Sequence, residues 1–346
     1  MLKHAALFAG MGGFVEAAQR ENYATLWANE IEPKCWEVLR ENYPDTEINT
    51  KSISELDHED LAHLPALDLL TAGFPCQSFS QARGVVAGFD DPRGKLFFDI
   101  PRVIGMLSRP PKVVLLENVP VLKRFDNGSM LSTVLNEMRF AGYWVQERHA
   151  RILNSSEYGG TPQQRERLFI VCVHKEHARR NNFDFDLLRP VKRPGLFEVI
   201  DISRVGPDRI YLAPDNKYYK KMEKLADAKD RNRLFQIRQV EARAIREDSC
   251  PTLTANMGGG GHNVPFVFDE KGLRRLTVEE CMRLQGFDPS TFRIPDGLID
   301  SAVLKMIGNA VSVGTVASIM RALREQGILL DTKNEQPRND CMEVSA

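Results

Sequence analysis

Two residues of this chain are spaced to do chemistry together: Cys76, in Gly73-Phe74-Pro75-Cys76-Gln77, and Glu117, in Glu117-Asn118-Val119, 41 positions later. Each follows a largely apolar run, 67–72 and 113–116, that reads as a buried strand. A thiol and a carboxyl group delivered from two strand ends can serve one crevice as nucleophile and proton donor. Most free cysteines are small, inert core residues. The surroundings of Cys76 argue otherwise: proline fixes the backbone before it, glutamine follows, and 78–94 is rich in Ser, Gly, Asp and Arg, the composition of a mobile loop.

Two further groups flank this pair. Phe8-Ala9-Gly10-Met11-Gly12-Gly13 lies between a strand-like and a helix-like segment, where glycines let a backbone approach a bound cofactor. Glu30 stands 20 positions after Gly10, at the end of the next strand, and a carboxylate there can accept hydrogen bonds from ribose hydroxyls. NAD and S-adenosylmethionine both carry such hydroxyls, and the turn departs from G-x-G-x-x-G, so the motif alone does not choose between them. Pro162-Gln163-Gln164-Arg165-Glu166-Arg167 precedes a strand-like run at 168–174. Polar runs of this kind usually form a solvated edge. If the strand begins early, however, Arg165 and Arg167 project to one side and can meet a nucleobase or a phosphate.

The elements that must position these groups alternate. Apolar 5–8, helical 14–22, apolar 24–28 and helical 33–42, with Pro33 in a first helical turn, precede the strands at 67–72 and 113–116, each followed by a helical segment. This is an α/β pattern, a mostly parallel sheet with helices on both faces, and ligands bind such sheets at the carboxyl ends of the strands. Gly10, Cys76 and Glu117 all fall at such ends. Runs at 143–153 and 168–174 complete the sheet. After 175 the periods weaken, and 257–263, Met-Gly-Gly-Gly-Gly-His-Asn, reads as a loop. Regularity returns at Thr277-Val278-Glu279-Glu280, a capping box opening a helix to Leu284, and in a final helix over 315–326 with Val316, Ile319, Met320 and Leu323 on one face. Between them Gly308-Asn309-Ala310-Val311 reads as a turn able to approach a ligand closely. The polar end reads as disordered.

With 346 residues, 42% hydrophobic and 27% charged, the chain can build one large or two smaller cores. No apolar stretch approaches a membrane span, and no signal peptide precedes the first strand, which points to the cytoplasm. The six cysteines form no C-x-x-C pair, which argues against a disulfide framework and against a structural metal site. Net charge is −1, but 175–247 holds 18 Lys and Arg against 12 Asp and Glu, a local +6 that leaves −7 elsewhere. Alone, that excess fits a solvated surface as well as it fits a polyanion partner.

The ordered set FAGMGG, GFPCQSFS, ENV, QQRER, RRLTVEECMRLQGF and GNAVSVG resembles the DNA (cytosine-5) methyltransferase family, the compact bacterial kind of restriction-modification systems. The resemblance covers 7–323 apart from 178–248. It implies a Rossmann-like S-adenosylmethionine-dependent domain at 1–175, a smaller irregular target-recognition domain at 176–272, a return segment at 273–330 and a tail at 331–346. It makes Cys76 the nucleophile and Glu117 the acid at the base. Arg165 and Arg167 become contacts around a flipped cytosine, and Gln163 part of their support. Phe8, Gly10, Gly12, Gly13, Glu30, Ile31, Pro75, Leu96, Asn309 and Ala310 would line the S-adenosyl-L-methionine pocket. Where many relatives carry Asp before Ile to hold the adenine amino group, this sequence has Ser52-Ile53, an uncharged hydroxyl in that place. Thr252-Leu253-Thr254-Ala255 matches the closing signature of the recognition region, with Thr252 near the DNA backbone.

The implied reaction explains the residue types. Cytosine C5 is a weak nucleophile until a thiolate adds at C6, and a proton or strong hydrogen bond at N3 stabilises the adduct. A free thiol has a pKa of about 8.5, which Arg165 or Arg167 could lower. The target carbon is inaccessible in a stacked duplex, so the base must be flipped out, with 78–94 as a candidate lid. The basic segment then contacts phosphates of double-stranded DNA while a few side chains read base edges. A cognate restriction endonuclease would act on the same site. Rivals fit less well. A transfer-RNA cytosine-5 methyltransferase shares the Pro-Cys-Gln and Glu-Asn-Val signals but not the basic insertion. A nicotinamide dehydrogenase leaves Cys76, Glu117 and the arginines unused. A zinc deaminase needs Pro-Cys-x-x-Cys, and residue 79 is Phe. A catalytically silent DNA-binding relative would not need Cys76, Glu117 and Arg165 intact.

Overall fold

The computed structural model describes residues 1–75, 92–238, 240–259 and 264–330. Cys76, positions 78–91 of the expected lid, His262 and Asn263 of the glycine loop, and the 331–346 tail lie outside the described residues.

The strands are β1 (Leu2–Leu7), β2 (Tyr23–Asn29), β3 (Glu47–Asn49), β4 (Leu69–Gly73), β5 (Val113–Asn118), β6 (Tyr143–Trp144), β7 (Ala150–Asn154), β8 (Gln163–Gln164), β9 (Glu166–His174), β10 (Phe235–Arg238), β11 (Glu241–Ala244), β12 (Cys250–Pro251), β13 (Phe266–Phe268) and β14 (Leu273–Arg275). The helices are α1 (Gly13–Arg20), α2 (Pro33–Asn42), α3 (Pro92–Met106), α4 (Val121–Arg124), α5 (Ser129–Phe140), α6 (Ser155–Tyr158), α7 (Leu196–Val199), α8 (Lys217–Lys229), α9 (Val278–Gln285), α10 (Asp300–Asn309) and α11 (Val313–Glu325).

The main sheet has the order β3-β2-β1-β4-β5-β9-β6, with β7 also paired to β9. Pairs from β3 to β5 are parallel. Among the described residues only β9 runs against the rest, antiparallel to β5, β6 and β7. All six residues of β5 are buried, because helices cover both faces and leave no side for polar residues. Alternate side chains divide between two cores: Val113 and Leu115 pack with α1, α9, α10 and α11, and Val114 and Leu116 with α3 and α5. The α11 stripe of Val316, Ile319, Met320 and Leu323 is buried as its spacing predicts. The Thr277 capping box is present, and Pro33 occupies the first turn of α2.

Four expectations need correction. The run 143–153 is two strands, β6 and β7, broken by a 3-10 turn at Glu147–His149. The weakly patterned stretch after 175 contains the 13-residue α8 and strands of a four-stranded sheet, β11-β10-β13-β14. Those strands are three or four residues long, too short to print a period on the sequence. Gly308 and Asn309 end α10, which sequence reading missed, and Gly308 closes on the Thr254–Ala255 backbone rather than opening a turn toward a ligand. Finally, Asp300–Glu325 is long and apolar enough to cross a membrane by composition, but it is two helices broken at 310–312 and mostly buried among the other elements.

Candidate active site

The site is built from the carboxyl ends of β4 and β5 and the beginning of β9. Gly73 of β4, Glu117 of β5 and Phe169 of β9 stand side by side across the ladder. Past Gly73 the chain runs through Phe74 to half-buried Pro75, the residue before Cys76. Asn118 secures this exit, its Nδ2 donating to the Phe74 carbonyl at 3.1 Å while its Oδ1 accepts from the Val119 amide at 2.9 Å.

Glu117 is buried, and Nε of Arg167 lies 3.1 Å from its Oε1. Burial raises its carboxyl above the ordinary range, against the pull of Arg167 and then of Arg165. A carboxyl group that holds its proton more tightly than usual is suited to donating it. Arg165 and Arg167 diverge. Arg165 is 2% exposed and turns inward, Nη1 donating to the Leu253 carbonyl at 2.6 Å and Nη2 to the carbonyls of Ala310 at 2.7 Å and Gly308 at 3.1 Å. Gln163, fully buried, donates to the Leu284 carbonyl and to Oε1 of Gln285, both at 2.9 Å, and accepts from the Leu253 amide at 2.9 Å. Thr252 beside it is half-buried and donates to the Gln164 carbonyl at 2.6 Å.

Of the predicted cofactor residues, Phe8, Gly10, Gly12, Gly13, Glu30, Ile31, Ser52 and Ile53 follow the carboxyl ends of β1, β2 and β3, whereas Pro75 follows β4, Leu96 is in α3, and Asn309 and Ala310 close α10. Phe8, Gly10 and Gly12 all adopt positive φ, at 54°, 58° and 105°. At Gly12 a side chain is excluded twice, by that φ and by the Tyr43 ring, which a Cβ would meet at 2.7 Å. A Cβ on Gly13 would meet Val311 Cγ2 at 2.8 Å, so the 309–311 segment packs against the glycine turn. The close approaches at Gly12 and Gly13 are thus to the protein itself, whereas Gly10 faces open space. Glu30 braces this turn: Oε2 accepts from the Gly10 amide at 2.7 Å and Oε1 from the Glu32 amide at 2.8 Å. Burial raises its carboxyl, and the amides of Glu32, Gly10 and Ile31 counter that.

Ile31 is 62% exposed at the rim, and Asn29 Nδ2 donates to the Lys51 carbonyl at 2.8 Å, which ties the end of β2 to the chain entering Ser52. The Ser52 hydroxyl is 2.8 Å from that of Ser54, and Ile53 is buried. Leu96 and Phe8 pack against the same core cluster. Ala310 is buried, and Asn309 is exposed at the end of α10. Open space over Gly10, the exposed Ile31 and the half-buried Glu30 carboxylate form a cradle that fits an adenosyl group with its ribose hydroxyls.

Sequence reasoning missed Asn118, Gln285 and Arg274. Asn118 had a signal in its place after Glu117. Arg274 had none. It is buried on β14, salt-bridged through Nε to Asp269 at 2.8 Å and through Nη1 to Glu280 of α9 at 2.8 Å, and so fastens the small sheet to the helix. Among the described residues no group of His, Cys, Asp and Glu could hold a metal ion.

The description "C-5 cytosine-specific DNA methylase" matches residues 2–325. Type II methyltransferase M.Bsp6I of Bacillus sp. (strain RFL6) is 34% identical over 92% of this chain and 97% of its own. Type II methyltransferase M.HpaII of Haemophilus parainfluenzae is 32% identical over 94% and 90%. In fold, the chain is similar to the S. pombe Dnmt2 methyltransferase, with a TM-score of 0.67, 18% identity and coverage of 94% and 99%. It is also similar to Entamoeba histolytica methyltransferase EhMeth, with a TM-score of 0.69, 19% identity and coverage of 94% and 98%. The chain therefore belongs to the C-5 cytosine-specific DNA methylase family, as a DNA (cytosine-5-)-methyltransferase whose methyl donor is S-adenosyl-L-methionine.

Proposed function

We propose that this enzyme methylates C5 of a cytosine flipped out of a specific duplex DNA sequence, with Cys76 forming a covalent bond to C6. The observation that carries the reading is the buried Glu117–Arg167 pair, set one ladder position from the strand whose exit leads to Cys76. The Cys76 thiol gives up its proton and the sulfur bonds to C6, which moves electron density onto C5. Glu117, whose carboxyl burial raises above its ordinary range, gives N3 a proton or a strong hydrogen bond and neutralises the charge that arrives there. Arg167 keeps the Glu117 carboxyl aimed, and Arg165, its Nη groups held by the Leu253, Gly308 and Ala310 carbonyls, adds positive charge beside Glu117 at the base. When bound, S-adenosyl-L-methionine supplies an electrophilic methyl group. Loss of the C5 proton to solvent then expels the Cys76 sulfur as thiolate, and return of the N3 proton to Glu117 restores the neutral aromatic ring.

Phe8, Gly10, Gly12, Gly13, Glu30, Ile31, Ser52, Ile53, Pro75, Leu96, Asn309 and Ala310 are the proposed cofactor contacts. Ser52, whose hydroxyl turns to Ser54, is the group that would face the adenine. Residues 1–175 and 273–330 form the proposed catalytic body, and 176–272 the DNA-reading region, with Thr252 near the phosphates. By analogy with the Type II relatives, the enzyme would work in the cytoplasm and guard its site against a companion restriction endonuclease.

The test is transfer of labelled methyl from S-adenosyl-L-methionine to duplex DNA and to transfer RNA, with denaturation-resistant enzyme–nucleic acid complexes scored on each. The proposal expects label and complex on DNA, and neither with Cys76→Ser. Labelling of transfer RNA alone would overturn it.

A further inference from the structure

Gln285 is the second amide of a closed hydrogen-bond ring around Arg165. It ends α9, is fully buried, and its Oε1 accepts from Gln163 Nε2 at 2.9 Å. Its own Nε2 donates to the Ala310 carbonyl at 2.6 Å, the same oxygen that receives Arg165 Nη2 at 2.7 Å. Gln163 closes the circuit through Leu253, whose amide it accepts and whose carbonyl receives Arg165 Nη1. Four chain segments therefore meet around one guanidinium: β8 and the residue after it, the stretch after β12, the end of α9 and the end of α10.

A carbonyl oxygen has two lone pairs, and Ala310 uses both, one for Arg165 and one for Gln285. Buried networks in which every member is paired hold their atoms more tightly than isolated bonds do. Within this ring Gln285 sets the direction of the Ala310 carbonyl and the rotamer of Gln163, and those two set the plane of the guanidinium. An apolar side chain at 285 would leave Gln163 Nε2 with the Leu284 carbonyl alone and let the Ala310 peptide rotate.

We infer that Gln285 is a positioning residue for methyl transfer, acting through Arg165 and touching neither base nor cofactor. The inference rests on the proposed role of Arg165 at the base.

The test uses the full chain and duplex DNA with Gln285→Met, which keeps the volume and removes both hydrogen bonds, in the natural background and with Arg165→Lys. Rates are taken per active site, counted from the pre-steady-state burst, alongside KM for DNA and Tm. The expected result is a fall in kcat of about tenfold with KM for DNA within about twofold, and a fall of less than about twofold when Arg165→Lys is already present, because residues acting as a unit are not additive. An equal fall in both backgrounds, or a lowered Tm with per-site kcat unchanged, would overturn the inference by making Gln285 a structural residue only. If Arg165→Lys does not fold, the kcat against KM split of Gln285→Met decides alone: an unchanged per-site kcat overturns it. Failure of the underlying reading looks different, since the natural enzyme would then transfer no methyl to DNA at all.

Discussion

The strand-end site and the small sheet handle polar side chains in opposite ways. At the site, Glu117, Gln163 and Arg165 are buried and bound to named partners on three other segments, so each has one orientation. In the sheet β11-β10-β13-β14, one face packs Phe235, Ile237, Phe266 and Leu273 against Tyr218 and Met222 of α8. The other face is divided. Its β13–β14 half is buried, with Val267 in the main core and Arg274 locked to Asp269 and Glu280. Its β10–β11 half presents Gln236, Arg238, Glu241 and Arg243 outward, paired in register as Gln236 with Arg243 and Arg238 with Glu241.

On the proposed assignment of 176–272 to DNA reading, the difference follows from the tasks. Chemistry needs groups fixed to fractions of an ångström, which a buried hydrogen-bond network provides. Contact with a nucleic acid needs side chains that water can leave and a ligand can replace. The small sheet joins these regimes, with one half locked by Arg274 to Asp269 and Glu280 and one half exposed.

The contrast can be broken at its rigid end first. Glu117→Gln keeps the shape and removes the proton, so per-site kcat should fall by about 10²–10⁴-fold with cofactor binding retained, as measured by single-turnover methyl transfer. A loss under tenfold would make Glu117 a structural acid. Next, Arg274→Ala leaves Glu280 and Asp269 buried without their cation and should destabilise the fold by about 3–5 kcal/mol in urea unfolding. A loss under about 1 kcal/mol would mean the two halves are not fastened there.

A smaller effect concerns pH. Because burial raises the Glu117 carboxyl, the folded chain binds that proton more tightly than the unfolded one. Its stabilising contribution is complete below the unfolded value of about 4.3 and is lost as pH rises through the raised folded value. Across that interval the Tm of the natural protein should decline relative to Glu117→Gln, and parallel curves would refute the shift. Smallest of all, Arg243→Ala on the open face should change unfolding free energy by no more than about 0.5 kcal/mol. It should nevertheless weaken DNA binding in a salt-dependent titration. A large stability loss would erase the contrast.

Legibility in the sequence follows the same division. The strands before Gly73 and Glu117 were readable because strands buried on both faces are continuous apolar runs, and α2 and α9 because Pro33 and Thr277 mark their starts. The small sheet was not, since its strands are three or four residues long and one face changes from core to surface along its width. At the site, residue types and order were visible, but not partners. No spacing shows that Arg165 turns toward three carbonyls, that Gly308 packs on Thr254, or that Gln285 shares an acceptor with Arg165. Those facts are set by where α9 and α10 end, which is tertiary information.

The most direct test of the central claim is bisulfite sequencing of DNA from cells expressing the natural protein or Cys76→Ser. Conversion-resistant cytosines should be confined to one sequence context with the natural protein and absent with the variant. Resistant cytosines that persist in Cys76→Ser, or none with either protein, would contradict it.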